Sequence, residues 1–138
     1  MAFMLGAKGV QVGTRFVMAK ECTVHPNYKD RMAKCKDVDS VVTGEMTGHP
    51  VRVIRNRLTR ELEDLGMGEE ALQKFEEATV GALRKAVVEG DTEYGSVMAG
   101  QCAAMAQCEE SVEEIIKSLF DRKAVEARVA EMMEIPWI

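Results

Sequence analysis

The chain has 138 residues, a length suited to one domain, and 46% of them are hydrophobic, enough for a core. Its net charge is -5, with 18 basic against 23 acidic residues, which argues against non-specific nucleic-acid binding because that needs a basic surface. No apolar run approaches the ~20 residues of a membrane span, and the apolar stretch Met1–Leu5 is too short for a secretion signal and has no basic flank.

Met1 to Leu5 reads as the tail of a helix, with Gly6 as its stop. The chain thus looks as if it starts inside a βα unit. Residues 9–13, Gly-Val-Gln-Val-Gly, read as one short buried strand with Val10 and Val12 on the same side of the pleat. Gly13 and Thr14 then turn the chain into a helix running to about Cys22. Gly13 lets a ligand approach the backbone closely, and Thr14 offers a hydroxyl and a free N–H at the positive end of a helix dipole. That geometry suits a phosphate. A plain tight turn is the competing reading. His25-Pro26 breaks the helix, and Pro26 opens the next one, about Asn27 to Cys35, with Met32 and Cys35 on one face.

Residues 40–44 and 51–54 are β-rich and predict a hairpin around Thr47-Gly48-His49-Pro50. Asn56 caps a helix that carries Leu58, Leu62 and Leu65 and stops at Gly66. A short helix follows over 69–77. Thr79 is expected to cap a helix from Val80 to about Glu89, with Val80, Leu83 and Val87 on its buried face and Gly90 as its end. The small-residue stretch 95–101 leads into a helix through Met105. Ser111 and Glu114 have capping-box spacing, and the last helix extends from there towards Met133, followed by an apolar tail at 135–138. The expected fold class is α/β: mainly helical, with one buried strand and one hairpin. A lone parallel strand leaves both of its edges unpaired, so the chain reads as part of something larger.

Several residues carry a chemical reading beside a structural one. His25, just before a proline, suits either a general acid or a helix junction bonded to backbone. His49 in the hairpin loop is the candidate for a substrate contact. Cys22, Cys35, His25 and His49 have no common zinc spacing, and Cys102 and Cys108 read as buried small hydrophobes. With no CxxC pair and no secretion signal, reduced thiols in a cytoplasm are expected. The ten methionines read mainly as core filler. Arg52, Arg55, Arg57 and Arg60 form a basic run that could meet an acidic carrier protein or a nucleotide phosphate, or pair with Glu61 and Glu63 as a solvated face.

Seven segments in order resemble one family: residues 9–16 (GVQVGTRF), 20–29 (KECTVHPNYK), 41–44 (VVTG), 48–52 (GHPVR), 58–60 (LTR), 84–91 (RKAVVEGD) and 95–101 (GSVMAGQ). The chain is similar to the FMN-dependent 2-nitropropane dioxygenase / nitronate monooxygenase family, and most of all to its enoyl-acyl-carrier-protein reductase II branch. The resemblance implies the C-terminal part of a (β/α)8 TIM barrel with a smaller, mostly helical domain. Residues 1–24 would close the barrel (helix 7 tail, strand 8, phosphate turn and helix), 25–94 would form the small domain, and 95–138 would return to the barrel. It implies that Gln11, Val12, Gly13 and Thr14 contact the FMN phosphate, and that Ser96, Met98, Gly100 and Gln101 lie near the flavin. The family's active-site His falls before residue 1, so no catalytic residue and no metal ligand are assigned.

The resemblance leaves two chemistries open: an NAD(P)H-driven reduction of an enoyl thioester in fatty-acid synthesis, and the oxidation of alkyl nitronates by oxygen. The substrate would be a small molecule or bound to an acyl carrier, with neither nucleic acid nor membrane as partner. A reading of another class is a non-catalytic fragment or split-protein half that needs an N-terminal complement or a second copy. A third is a free-standing helical interaction protein.

Overall fold

The computed structural model describes Ala2 and residues 5–135. The helix tail expected at 1–5 falls largely outside these residues, and the tail at 136–138 wholly so. Pairing register fits the hairpin closely: β1 (Ser40–Thr43) runs antiparallel to β2 (Val51–Ile54), with Ser40 opposite Ile54 and Val42 opposite Arg52. A 3-10 turn, Glu45–Thr47, closes the loop between two left-handed glycines, Gly44 and Gly48.

β2 is the inner strand because a later segment pairs with its free side. The Ile54 N–H donates to the Val97 carbonyl at 2.8 Å, the Ala99 N–H donates to the Arg52 carbonyl at 3.2 Å, and Val53 bridges Met98 antiparallel. Residues 97–99 thus act as a third, short strand and bury Val53 and Ile54 almost completely. Helix α1 (Thr14–Val17) and helix α2 (Pro26–Ala33) pack towards this sheet through Met18, Tyr28 and Met32, joined by Val97, Ala99 and Ala103 in the main core. Helix α3 (Arg57–Glu63) and helix α4 (Glu69–Thr79) form a second cluster from Leu58, Leu62 and Phe75, closed by Ala82 of the short helix α5 (Ala82–Arg84). Helix α6 (Val112–Leu119) seats only Ile115 fully, and helix α7 (Arg122–Met133) buries none of its residues.

Several expectations need correction. Residues 9–13 make no strand ladder among the described residues, and Val10 is 46% exposed. A parallel strand needs neighbours on its edges, and the described residues supply none there. α1 stops at Val17 rather than near Cys22, because Ala19 pairs with Glu110 and Lys20 N–H donates to the Glu110 carbonyl at 2.9 Å. Thr79 is not a cap; it ends α4, with its hydroxyl donating to the Phe75 carbonyl at 2.8 Å. The chain reverses at Gly81, so Val80 and Leu83 face outward while Ala82 and Ala86 enter the core. A wide π turn, Lys85–Glu89, ends at Gly90 as expected. The helix expected through Met105 is a single 3-10 turn, Ala103–Met105. Its packed side is taken by Ala103 and Ala106, which leaves Cys102 and Cys108 exposed rather than buried. The last long helix is broken in two at Asp121, whose carboxylate caps α7 through the N–H groups of Lys123 and Ala124.

The caps read from sequence hold elsewhere. Ser111 and Glu114 form their capping box, and Glu114 is held below the usual carboxylate range by the Ser111 N–H and hydroxyl, with Lys20 adding to the effect. Asn56 caps α3 in a reciprocal box with Thr59. Asn56 does more than cap: its buried amide donates to the Thr92 carbonyl at 2.9 Å and the Gly95 carbonyl at 2.8 Å, tying α3 to the segment that lies on β2. We expect Asn56→Ala to lower the stability of the chain by about 2–3 kcal/mol, from one lost cap plus buried carbonyls left without a donor. Urea denaturation followed by circular dichroism checks this; a loss under about 0.5 kcal/mol would mean water replaces the strut.

Candidate functional site

The Gly13–Thr14 junction lies against the strand-like segment 97–100. The Thr14 hydroxyl accepts a hydrogen bond from the Gly100 N–H at 2.8 Å. That contact leaves the hydroxyl hydrogen free to donate. A Cβ on Gly100 would come within 3.1 Å of the Thr14 hydroxyl, so glycine permits the approach. Beside this contact Gly13, Thr14, Val17, Arg52, Met98, Ala99 and Gly100 line an open cleft of about 340 Å3. Gly13 has no atom within 4 Å of where a Cβ would stand, so the cleft is open at its backbone. The N–H groups of Thr14 and Arg15 find no acceptor among the described residues.

The motif at 25–29 is explained by structure rather than by chemistry. His25 caps α2: its Nδ1 accepts from the Asn27 N–H at 3.1 Å, and Pro26 takes the first helical position. The Asn27 amide donates to the Gly90 carbonyl at 3.0 Å, and a Cβ at Gly90 would overlap the His25 ring. The Tyr28 hydroxyl donates to the Met98 carbonyl at 2.7 Å, and burial pushes its phenol up to about 12. Lys29 is buried, with its ammonium on the Ala19 carbonyl and on Glu109, each at 2.8 Å. Arg15 pairs with Glu110. These contacts tie the start of the chain, α2 and the segment before α6 to one another.

Of the residues expected near a cofactor, the structure brings Gly13, Thr14, Met98 and Gly100 to one cleft. Gln11, Val12, Ser96 and Gln101 are not part of its lining. Gln11 and Gln101 are exposed, Val12 is half-buried, and the Ser96 N–H is used by the Ala82 carbonyl at 2.9 Å. His49 is exposed in the hairpin loop, away from the cleft. Val17, Arg52 and Ala99 also line the cleft although none was expected near the cofactor, and Arg52 is the charged one among them. It stood only within the basic run, and the one available signal was its place two residues before the core residue Ile54 on an alternating strand. The rest of that run is paired or solvated: Arg55 lies 3.4 Å from Glu63, Arg57 lies 3.4 Å from Glu93, and Arg60 is exposed.

Comparison with known proteins places the chain in a family. The nitronate monooxygenase family model matches residues 1–122, and the chain belongs to that family. It is 31% identical over 107 residues to a probable nitronate monooxygenase of Staphylococcus saprophyticus, covering 77% of this chain and 30% of that protein. It is 27% identical over 118 residues to a probable nitronate monooxygenase of Bacillus subtilis, covering 86% of this chain and 34% of that one. Among solved structures it superposes on FabK from Thermotoga maritima with a TM-score of 0.83 and 42% identity, covering 94% of this chain and 42% of FabK. The fold is therefore that of a portion of a TIM-barrel enzyme, helical with one two-stranded sheet. The chain spans about a third of the curated relatives it matches and under half of FabK.

Tyr28 gives a testable pH dependence. Its folded pKa lies above the ordinary value of 10.0, so the native state holds this proton more tightly than the unfolded chain. The stability it contributes is complete below pH 10 and is lost as pH rises towards 12. Urea midpoints measured from pH 9 to 12 should fall less steeply for Tyr28→Phe than for the parent. Parallel curves would mean that the phenol ionises without unfolding the chain around it.

Proposed function

We propose that this chain is the flavin-phosphate-binding and small-domain part of an FMN-dependent oxidoreductase. The observation that carries the reading is 42% identity to FabK over 94% of the chain. The cleft fits one end of such a cofactor. It combines an unobstructed glycine backbone, two helix-start N–H groups without acceptors and a hydroxyl hydrogen left to donate. Gly13 and Thr14 would hold the FMN phosphate by backbone and hydroxyl donors, with Gln11 and Val12 leading into that turn from outside the cleft's lining. Met98 and Gly100, with Ser96 and Gln101 on the same segment, would lie towards the flavin. Met98 is 37% exposed and offers an apolar, polarisable surface there.

When bound, FMN would supply the electron-carrying chemistry, which a polypeptide lacks. The residues of this chain would anchor and orient it. Tyr28 fixes the Met98 carbonyl, and the Gly100 N–H fixes the Thr14 hydroxyl, so that both walls of the cleft hold their distance. The net reaction proposed for the whole enzyme adds a hydride from NAD(P)H and a proton from solvent across the double bond of an enoyl thioester on an acyl carrier, with His49 on the substrate side. The second reading, oxidation of alkyl nitronates by oxygen, is favoured by the family model and by the names of the curated relatives.

Titration of the chain with FMN, followed by flavin fluorescence, tests the cradle. Saturable quenching is expected, and Gly13→Val should weaken it at least about tenfold, equivalent to roughly 1.4 kcal/mol. That substitution leaves the fold in place, because Gly13 has φ −103° and open space around its Cβ position. Equal quenching in parent and variant would remove the phosphate from this turn.

A further inference from the structure

The hairpin turn borders a second cavity, of about 280 Å3, which shares no lining residue with the cleft at Gly13–Thr14. Three segments bound it: the end of β1 with the turn after it, the end of α3 with the loop after it, and Phe75 of α4. Leu62 and Phe75 belong to the second core cluster and are each 8% exposed, and Met46 packs against that cluster. Val42 and Met67 complete the apolar lining and stand open to solvent, Met67 at 89%.

Two glycine turns shape the cavity. Gly44 has φ 79°, and a Cβ there would stand 3.3 Å from Cζ of Phe75, so glycine lets the hairpin turn approach the ring. Gly66 and Gly68 have φ 74° and 124° and set Met67 between two sharp bends. The cavity lies between these turns, with Leu62 and Phe75 as its buried wall.

Its charge has one sign. Glu45 and Glu63 are the charged residues of the lining, and both are acidic. Glu63 has a partner, Arg55, at 3.4 Å. The exposed Glu45 carboxylate has neither an ion pair nor a hydrogen bond among the described residues. An unpaired surface carboxylate is ordinary by itself. Here it stands at an apolar cavity with an aromatic ring in its wall, and that combination selects a ligand by chemistry.

We propose that this cavity binds a small amphipathic amine, an aryl- or alkylammonium ion, with its apolar body against Leu62, Phe75 and the two methionines and its ammonium on Glu45. The volume lies below the ~300–1,000 Å3 of drug-sized sites, so the body is a single ring or a short chain. Unbranched methionine side chains adapt to the outline of such a body. Both carboxylates repel an anion, and a neutral molecule gains the apolar contacts alone. The site does not rest on the flavin reading, and its failure leaves that reading untouched.

Three probes with one body separate charge from apolar contact: 2-phenylethylammonium, 2-phenylethanol and phenylacetate. Each is titrated at low salt into the full chain carrying carbon-13-labelled methionine methyls, so that Met46 and Met67 report on the cavity by NMR. The ammonium should shift both signals saturably, the alcohol should bind more weakly, and phenylacetate should leave them in place. Glu45→Gln should weaken the ammonium about threefold, as for one exposed ion pair, and leave the alcohol unchanged. Because Glu45 is exposed, this substitution keeps the fold. Met67→Ser, also at an exposed position, should weaken ammonium and alcohol together, read at Met46. No shift by the ammonium in the parent, equal binding of all three probes, or equal ammonium binding in the parent and Glu45→Gln overturns the proposal. Signals of Met46 and Met67 that move on dilution without any probe would mean that a second copy of the chain fills the cavity, which overturns it as well.

Discussion

The short extended segment 96–100 is the constraint on which the rest of the chain depends. Its backbone is satisfied by four separate elements. Ser96 donates to α5, Val97 and Ala99 complete the free side of β2, the Met98 carbonyl takes the Tyr28 hydroxyl of α2, and Gly100 donates to Thr14 of α1. Buried backbone groups without partners are costly, so these bonds place all four elements relative to one another. The hairpin alone would be a two-stranded ribbon of marginal stability. With the 97–99 segment beside it, β2 becomes an inner strand whose Val53 and Ile54 are almost fully covered.

Around this segment, polar residues act as struts between parts of the chain distant in sequence. Asn56 reaches Thr92 and Gly95, Asn27 reaches Gly90, and Lys29 reaches Ala19 and Glu109. Asn56 and Lys29 are buried donors matched to carbonyls or a carboxylate, the condition under which burial of such groups is tolerated, and Asn27 makes its bond from an exposed position. The glycines at 90 and 95 belong to the same design, since a Cβ at either would overlap the His25 ring or the Asp91 carbonyl. The cleft at Gly13–Thr14 is a by-product of this bracing. Its two walls come from α1 and from the 97–100 segment, and the Thr14–Gly100 bond holds them together.

The surface that remains uncovered is consistent with the share of its relatives that the chain spans. Val10 in the 9–13 segment and Ile116, Leu119 and Val125 on α6 and α7 are each more than a third exposed. FabK, on which this chain superposes over 42% of FabK's length, is more than twice as long as this chain. Apolar side chains at these places cannot be buried by the described residues alone, because α7 touches no core cluster and 9–13 has no strand beside it.

The sequence by itself determined what depends on near neighbours. Asn56 with Thr59, Ser111 with Glu114 and Pro26 after His25 specify helix starts through bonds spanning three residues or fewer, and all three are present. The β-rich runs at 40–44 and 51–54 specified the hairpin, and the ordered motifs at 9–16, 25–29 and 95–101 pointed to the family. Only the tertiary structure decided whether 9–13 pairs, where the helix after Thr14 stops, and which face of 80–89 is buried, because each turns on a partner far along the chain: absent strands, Glu110, and the reversal at Gly81. The same holds for the site. Gly13 and Thr14 announced a phosphate turn locally, but Arg52 joined them only once β2 had chosen its register and Ser40 had taken its side chain, a relation between three segments that no local pattern contains.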